Sequence, residues 1–152
     1  MDWKKNDVFQ VQIEDMSDTG EGIGKTDGFK WLGKEAVIGD VVEAKVMKTK
    51  KSYGFARLMQ VVKPSDCRVT PRCPSARQCG GCQLQAMSYE EQLKFKENKV
   101  RNNLSRIGGL TEIPMEPIIG MEEPWRYRNK AQFPFGKDKD GRIITGFYAG
   151  RT

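Results

Sequence analysis

The sequence predicts an α+β chain: a small closed β-barrel of five strands, a cysteine loop, one amphipathic helix and the start of a mainly antiparallel β domain. Three observations lead to this prediction. Short alternating strands with turns between them fill residues 1–63, all four cysteines fall within residues 64–87, and a capped helical pattern opens residues 88–152. We take these three ranges as the predicted domains.

Five short strands are predicted in the first range. Phe9, Val11 and Ile13 alternate with glutamines, which is typical of a half-buried strand. Three glycines at period two, in residues 20–24, suit a sharply bent strand, and a turn then precedes the apolar residues 29–32. Alternation resumes in residues 42–46, and residues 53–62 return after a lysine-rich turn. So many short strands in a row favour a closed barrel of the OB type.

One segment of this barrel combines positive charge with aromatic rings. Residues 45–57, KVMKTKKSYGFAR, hold five cations, two aromatics and no acid. Cations suit the phosphates of a nucleic acid and rings suit its bases, so the segment is a candidate nucleic-acid contact. The alternative is a solvated hairpin tip with two core aromatics. The candidate contact residues are Lys48, Lys50, Lys51, Tyr53 and Arg57.

A helix is predicted to begin after Ser88, which would be its N-cap with Glu91 as capping-box partner. Two glycines, Gly108 and Gly109, predict a left-handed stop. Between these signals one stripe of the helix is apolar and the other face is charged, as in an amphipathic helix. The stripe consists of Tyr89, Leu93, Val100, Leu104 and Ile107.

A further basic strand is predicted over residues 126–133. Its even positions would share one face, with cations roughly 6.6 Å apart, comparable to the step between phosphates of an extended single strand. The alternative is an edge strand that charges protect from aggregation. A turn at residues 138–141 and a return over residues 143–148 complete a hairpin, and the uncapped end at residues 150–152 suggests a fragment. The candidate contacts here are Arg126, Arg128, Lys130 and Gln132.

The four cysteines, Cys67, Cys73, Cys79 and Cys82, are spaced C-x5-C-x5-C-x2-C. Disulfides, a zinc site and an iron–sulfur cluster are the three interpretations. Zinc ribbons normally pair two tight C-x2-C motifs, whereas a cubane cluster takes one thiolate per iron and tolerates irregular spacing. Nearby arginines would favour thiolates and offset the negative charge of a ligated cluster. All three interpretations stay open at this point.

Composition excludes several classes of function. The chain of 152 residues has no histidine, so catalytic triads, imidazole bases and His-ligated zinc are excluded. No apolar run approaches the roughly 20 residues of a membrane helix, and the N-terminal residues lack the apolar stretch of a secretory signal. A formal charge of +6 is compatible with an acidic partner. We therefore expect a cytoplasmic protein that does not enter a membrane.

Three segments resemble one known family. The string PRCPSARQCGGCQLQ, with the helix MSYEEQLKFKENKV after it, resembles the cluster loop of RNA (uracil-5-)-methyltransferases. The barrel, with GEGIGK and VIGDVVEAKV, resembles their TRAM domain, and EEPWRYRNKAQFPFG with ITGFYAGRT resembles the start of their central RNA-binding domain. The resemblance is to the bacterial 23S rRNA branch, and it covers nearly the whole chain.

The resemblance implies a 4Fe-4S cluster held by Cys73, Cys79 and Cys82, with a fourth cysteine beyond Thr152. Cys67 lies outside the family pattern, so it is either a spare thiol or a local substitute for the missing ligand. The interpretation depends on these three sulfurs lying close enough together to share one cluster, and sulfurs that point apart would overturn it. Its expected role is to hold the loop in place rather than to transfer electrons.

The resemblance also implies S-adenosylmethionine (SAM) as methyl donor to carbon 5 of uracil, after a catalytic cysteine attacks carbon 6. Those groups and the SAM pocket belong to a C-terminal domain outside this chain, so no catalytic residue is assigned here and the chain alone should be inactive. The expected partner is RNA, with 23S rRNA as the expected substrate, and the expected state is a monomer.

Two rival functions remain. One is a stand-alone RNA-binding module with a structural zinc site at the cysteines. The other is a small electron carrier, which a basic barrel and a basic strand make the weaker interpretation. Metal and sulfide content separates the first rival from the methyltransferase interpretation.

Overall fold

The computed structural model describes residues 3–149. Five strands close into a barrel, and the predicted α+β class with its OB-like barrel is confirmed. Around the barrel the order is β1-β2-β3-β5-β4, with β4 pairing back to β1. Only the β3–β5 pair among these is parallel. The strands are β1 (Val8–Met16), β2 (Gly22–Thr26), β3 (Phe29–Gly33), β4 (Val41–Thr49) and β5 (Tyr53–Lys63).

Alternating side chains of these strands build the barrel core. Trp31, only 2% exposed, lies at its centre and contacts the rings of Trp3, Phe9 and Phe29. Gly54 covers one side of the indole, because a Cβ there would lie 2.4 Å from Trp31 Cζ3. The other core members are small or β-branched, which suits the narrow interior of a five-stranded barrel. They are Val11, Ile13, Ala36, Val42, Ala44, Val46 and Ala56.

The cysteine loop follows β5 and returns to the barrel before the helix begins. Its two ends meet where Val69 N–H donates to the carbonyl oxygen of Ala86. Met87, 2% exposed, packs with Met16 and Val37 of the barrel in a second apolar cluster. The base of the loop is therefore part of the barrel's packing.

The helix α1 (Tyr89–Arg106) begins at its predicted N-cap. Ser88 Oγ accepts from the backbone N–H of Glu91 at 3.4 Å, which confirms half of the capping box. The reciprocal half was wrong, because Ser88 N–H donates to the Cys67 carbonyl while the Glu91 carboxylate pairs with Lys94. Gly109, at φ +69°, provides the predicted left-handed stop.

The apolar stripe of α1 is only partly covered. None of the helix residues is fully buried, and Val100 and Ile107 are 50% and 84% exposed. Leu93 lies near Gly120, where an added Cβ would be 3.0 Å from its Cδ1, and the Tyr89 hydroxyl accepts from Met121 N–H. The N-terminal half of the stripe is therefore covered by the connection after the helix. The C-terminal half faces outward.

The predicted strand over residues 126–133 was wrong, since the structure has no strand in that range. Arg126 has φ +56°, a left-handed conformation that interrupts an extended chain. The hairpin instead consists of β6 (Phe135–Lys137) and β7 (Ile143–Thr145), which pair antiparallel around the predicted turn. The predicted end at residues 150–152 lies outside the described residues. Within residues 3–149, no helix is long and apolar enough to cross a membrane.

Candidate functional site

One outer surface of the barrel brings cations together with two aromatic rings. In β5, Gly54 and Ala56 point into the barrel, so Tyr53, Phe55 and Arg57 point outward. The rings of Tyr53 and Phe55 meet edge to face, with centroids 5.6 Å apart. Both rings are half-buried, which leaves part of each accessible.

The neighbouring strands surround these rings with cations. Lys30 of β3 is the register partner of Tyr53, and Lys48 of β4 is the register partner of Phe55. Lys25 lies beyond Lys30 on β2. Because register partners project from the same side of a sheet, these side chains share one surface, which we call the basic face. It consists of Lys25, Lys30, Lys45, Lys48, Tyr53, Phe55 and Arg57.

The sequence pattern had singled out five candidates here, and the structure places three of them on the basic face: Lys48, Tyr53 and Arg57. The other two, Lys50 and Lys51, lie exposed in the turn between β4 and β5, where Lys50 N–H donates to the Tyr53 carbonyl. Lys25 and Lys30 were missed, because they stand far from the basic run in sequence. Only the parallel pairing of β3 with β5 brings them next to Tyr53.

The second candidate segment, residues 126–132, is exposed but does not form a flat row of cations, because it is not a strand. Arg126, Lys130 and Gln132 are exposed. Arg128 contacts the cysteine loop: its Nη2 donates to the Gly81 carbonyl at 2.9 Å and lies 3.9 Å from Cys82 Sγ. The pKa of Arg128 is raised, chiefly by a side-chain hydrogen bond with Tyr127; desolvation opposes this effect, and electrostatic interactions with Cys82, Tyr127 and Cys79 add to it.

All four cysteines are free in the structure. Cys73 and Cys82 are exposed and Cys79 is half-buried. All three lie in the middle of the loop, in residues 72–82, which we call the loop tip. Gly81 N–H donates to Cys79 Sγ at 3.3 Å, and Cys73 N–H donates to Gln85 Oε1. Hydrogen-bond donors therefore lie beside two of the sulfurs, as is common around metal-binding cysteines. The chemistry of this donor set fits an iron–sulfur or zinc site.

The sulfurs are not already grouped, however. In the part of the chain from residue 3 to 149, no three Cys, Asp or Glu side chains come together as a group that could hold a metal ion. The close approach of three sulfurs that we expected is therefore not present in the described residues.

Cys67 has different surroundings from the other three. Its Sγ lies 3.2 Å from Ser65 Oγ and 3.5 Å from the Ile38 carbonyl, and it packs against the cluster of Met16, Val37 and Met87. These contacts belong to the junction between the barrel and the loop. They support the interpretation of Cys67 as a spare thiol rather than a substitute ligand.

Two ion pairs, each between an acidic residue of the barrel and an arginine of the loop, join the loop to the barrel. Asp40, 0% exposed, accepts from the backbone N–H groups of Val37 and Ser65 and from the guanidinium of Arg68. Glu35 forms a second ion pair with Arg77, at 3.3 Å. Burial raises the pKa of Glu35, although Arg77 and other cations oppose that effect.

Comparison with known proteins finds one matching domain family and several longer relatives. Residues 2–59 match the TRAM domain family. An uncharacterized RNA methyltransferase of Halalkalibacterium halodurans is 49% identical over 97% of this chain and 32% of its own length. Proteins of the same description in Clostridium tetani and Listeria monocytogenes serovar 1/2a are 46% and 44% identical to this chain. Each match covers 98% of this chain and 32% of the relative.

The chain thus spans about a third of the length of these curated relatives, and it is homologous to their N-terminal third. Among solved structures, a conserved protein of Methanococcus maripaludis is 33% identical, covering 38% of this chain and 81% of that protein, with a TM-score of 0.36.

Proposed function

We propose that this chain, a TRAM domain followed by the cysteine loop and helix of an RNA methyltransferase homologue, is the RNA-binding front part of an enzyme that methylates carbon 5 of uracil in 23S rRNA. The observation that carries the proposal is the basic face, where Tyr53 and Phe55 lie between two sets of lysines. The barrel, the loop (64–87) and the following segment (88–152) are its three proposed parts, in a cytoplasmic monomer.

The basic face suits single-stranded RNA on physical grounds. A uracil must leave its stack before carbon 5 can be reached, which costs a few kcal/mol. Stacking of a base on an aromatic side chain recovers about 1–3 kcal/mol, and lysines beside the rings contact phosphates of the same strand. We propose Lys48, Lys50, Lys51, Tyr53 and Arg57 as barrel contacts, and Arg126, Lys130 and Gln132 as contacts of the following segment. An RNA contact of Arg128 stays a prediction.

The methyl transfer itself would use groups outside this chain. SAM would supply the methyl group, and its pocket and the catalytic residues would belong to the remaining two thirds of a protein as long as the relatives. The part played by the present residues is to bind the RNA strand and present it. By this proposal the chain alone binds RNA and transfers no methyl group.

Cys73, Cys79 and Cys82 would hold the 4Fe-4S cluster, with a fourth ligand from beyond Thr152. The proposal is supported by their C-x5-C-x2-C spacing within one loop and by the hydrogen-bond donors beside two of the sulfurs. The three sulfurs are not grouped in the described residues, so the loop would have to bring them together around the cluster. The cluster would hold the loop tip in one conformation. The loop base does not need it, because Met87 and Asp40 already fix that end to the barrel.

The RNA-binding part is tested by fluorescence anisotropy with a labelled oligouridylate of about 10 nucleotides. Affinity should fall with salt, with a logarithmic slope of about −0.7 per phosphate contacted. Replacing Lys48, Lys50 and Lys51 by alanine should make the slope shallower by about 2. The matched control replaces Lys96, Lys137 and Lys139, which are exposed elsewhere. Equal effects of the two triple variants, or salt-independent binding, would contradict the proposal.

The cluster is tested by measuring iron, sulfide and zinc after anaerobic purification of the chain. We expect iron and sulfide in the wild type and in Cys67→Ser, and their loss in Cys73→Ser, Cys79→Ser and Cys82→Ser. Zinc without sulfide would instead favour the zinc-containing RNA-binding module. Retention of iron in all three tip variants would refute the ligand assignment.

A further inference from the structure

The tip of the cysteine loop is held by a different part of the chain from its base. The base packs on the barrel, as described above. At the tip, Gly80 N–H donates to the Tyr148 carbonyl at 2.9 Å, and Cys79 forms a backbone bridge with Ala149. The guanidinium of Arg72 lies over the Trp125 ring, 5.3 Å from its centroid. The loop tip therefore contacts the segment made of residues 125–149, which we call the C-terminal segment.

Arg128 makes three contacts at this junction with one side chain. Its Nη2 donates to the Gly81 carbonyl at 2.9 Å and lies 3.9 Å from Cys82 Sγ. The same guanidinium lies over the ring of Phe147, 5.2 Å from the centroid, and Phe147 in turn packs against Phe133. Gly81 also fits closely here, since an added Cβ would lie 3.3 Å from Cys79 Sγ and 3.5 Å from the Phe147 ring.

These contacts require an arginine. The planar guanidinium can donate along its edge to a carbonyl and a sulfur while its face lies on an aromatic ring. A lysine would keep the charge near Cys82 but would lose the geometry that joins Gly81 to Phe147. Arg128 itself stays exposed, so the loop and the ring occupy one edge and one face of the guanidinium and the rest of it remains open to solvent.

We propose that Arg128 is a positioning residue that holds the tip of the cysteine loop, including Cys82, against the C-terminal segment. The link to metal binding rests on the proposed function, in that Cys82 is there a cluster ligand; the mechanical link between Gly81 and Phe147 does not depend on it. Because Arg128 joins the loop tip to Phe147, loss of the proposed cluster would loosen the C-terminal segment. The barrel would keep its own RNA contacts.

Hydrogen exchange on the full chain tests the mechanical link. Replacing Arg128 by methionine should speed exchange of the Gly80 amide, which donates to Tyr148, by about tenfold or more. Arg128→Lys should give most of the same increase. Arg142→Met removes an equal charge from the same segment and should leave the amide unchanged. The Gly39 amide, bonded to Ile13 in the barrel, reports that the variants are folded.

Iron release to a chelator provides the second measurement. It should be several-fold faster in Arg128→Met than in Arg142→Met or the wild type. Unchanged Gly80 exchange in Arg128→Met would overturn the proposal, and so would a lysine variant that behaves as wild type, which would show that a positive charge at this position is sufficient without the guanidinium geometry. If the wild type holds no iron, the cluster proposal fails, yet the exchange measurement still decides the role of Arg128.

Discussion

Arg68 and Asp40, 28 positions apart in the sequence, form an ion pair at 2.6 Å that joins the cysteine loop to the barrel. Asp40 is fully buried, and Arg68 is mostly so. The second Nη2 contact of Arg68, to the Glu35 carbonyl, ties the same guanidinium to the loop between β3 and β4. Arg68 therefore joins the loop base to two parts of the barrel, in addition to the packing of Met87.

Asp40→Ala should lower the free energy of unfolding by roughly 3–5 kcal/mol, because it leaves the buried guanidinium of Arg68 without its counter-charge. The backbone N–H groups of Val37 and Ser65 would lose their acceptor as well. Urea denaturation followed by tryptophan fluorescence measures the change. As control, Glu14→Ala breaks an exposed pair with Lys25 and should cost no more than about 1 kcal/mol. An equal loss of unfolding free energy in both variants would show that the buried pair stabilises the fold no more than the exposed pair does.

Gly24→Ala should destabilise the barrel by about 1–3 kcal/mol through overpacking. An added Cβ would lie 2.4 Å from Val11 Cγ2 and 2.6 Å from the Gln12 carbonyl oxygen. Gly33→Ala is the matched control on the next strand, since its Cβ would meet nothing closer than 3.5 Å. Thermal unfolding of both variants makes the comparison. A Gly24→Ala variant as stable as Gly33→Ala would mean that β1 and β2 separate easily.

Lys30→Ala should weaken binding of the oligouridylate about as much as Lys48→Ala, and each should reduce the salt slope by about 0.7. The reason is that both lysines flank the aromatic pair of the basic face, one beside Tyr53 and one beside Phe55. Anisotropy titrations at several salt concentrations measure it, with Lys96→Ala as the control. If Lys30→Ala behaves like Lys96→Ala, RNA does not cross from β5 to β3.

Glu35→Gln should gain stability relative to the wild type as the pH rises. Burial raises the pKa of Glu35 above its ordinary 4.5, so the folded chain binds more protons than the unfolded chain in the window just above that value. The contribution of Glu35 to stability therefore falls as pH rises through that window, whereas glutamine has no such dependence. Urea unfolding of both proteins from about pH 4 to about pH 7 measures the difference. A difference that is constant with pH, or that falls, would contradict the prediction.

Local signals predicted the helix well and its surroundings poorly. Ser88 and Gly109 act on the backbone within a few residues, so the helix boundaries follow from the sequence itself. The Glu91 half of the capping box failed because the Ser88 N–H already has a partner in Cys67, on a different part of the chain. A local sequence pattern does not reveal that the Cys67 carbonyl competes with Glu91 for the Ser88 N–H.

The basic segment at residues 126–133 shows the same limit for strands. Alternation there suits a strand, but a strand also needs a partner with free N–H and C=O groups. The left-handed Arg126 ends the extended conformation, and pairing begins only at Phe135. Arg128, which the alternation predicts as an RNA contact, lies against Gly81 and Phe147, and its RNA contact stays a prediction.

By itself the sequence determined the five barrel strands, the cysteine loop, the helix ends and the basic run at Lys48 to Arg57, because periodicity, turn residues and caps act over short stretches of chain. The tertiary structure alone decided that Lys25 and Lys30 join Tyr53 on one face, that Cys67 packs at the barrel, and that Arg128 contacts Gly81 of the cysteine loop. These relations are between residues far apart in sequence. They arise from strand pairing and from packing, which bring together side chains that no local pattern connects.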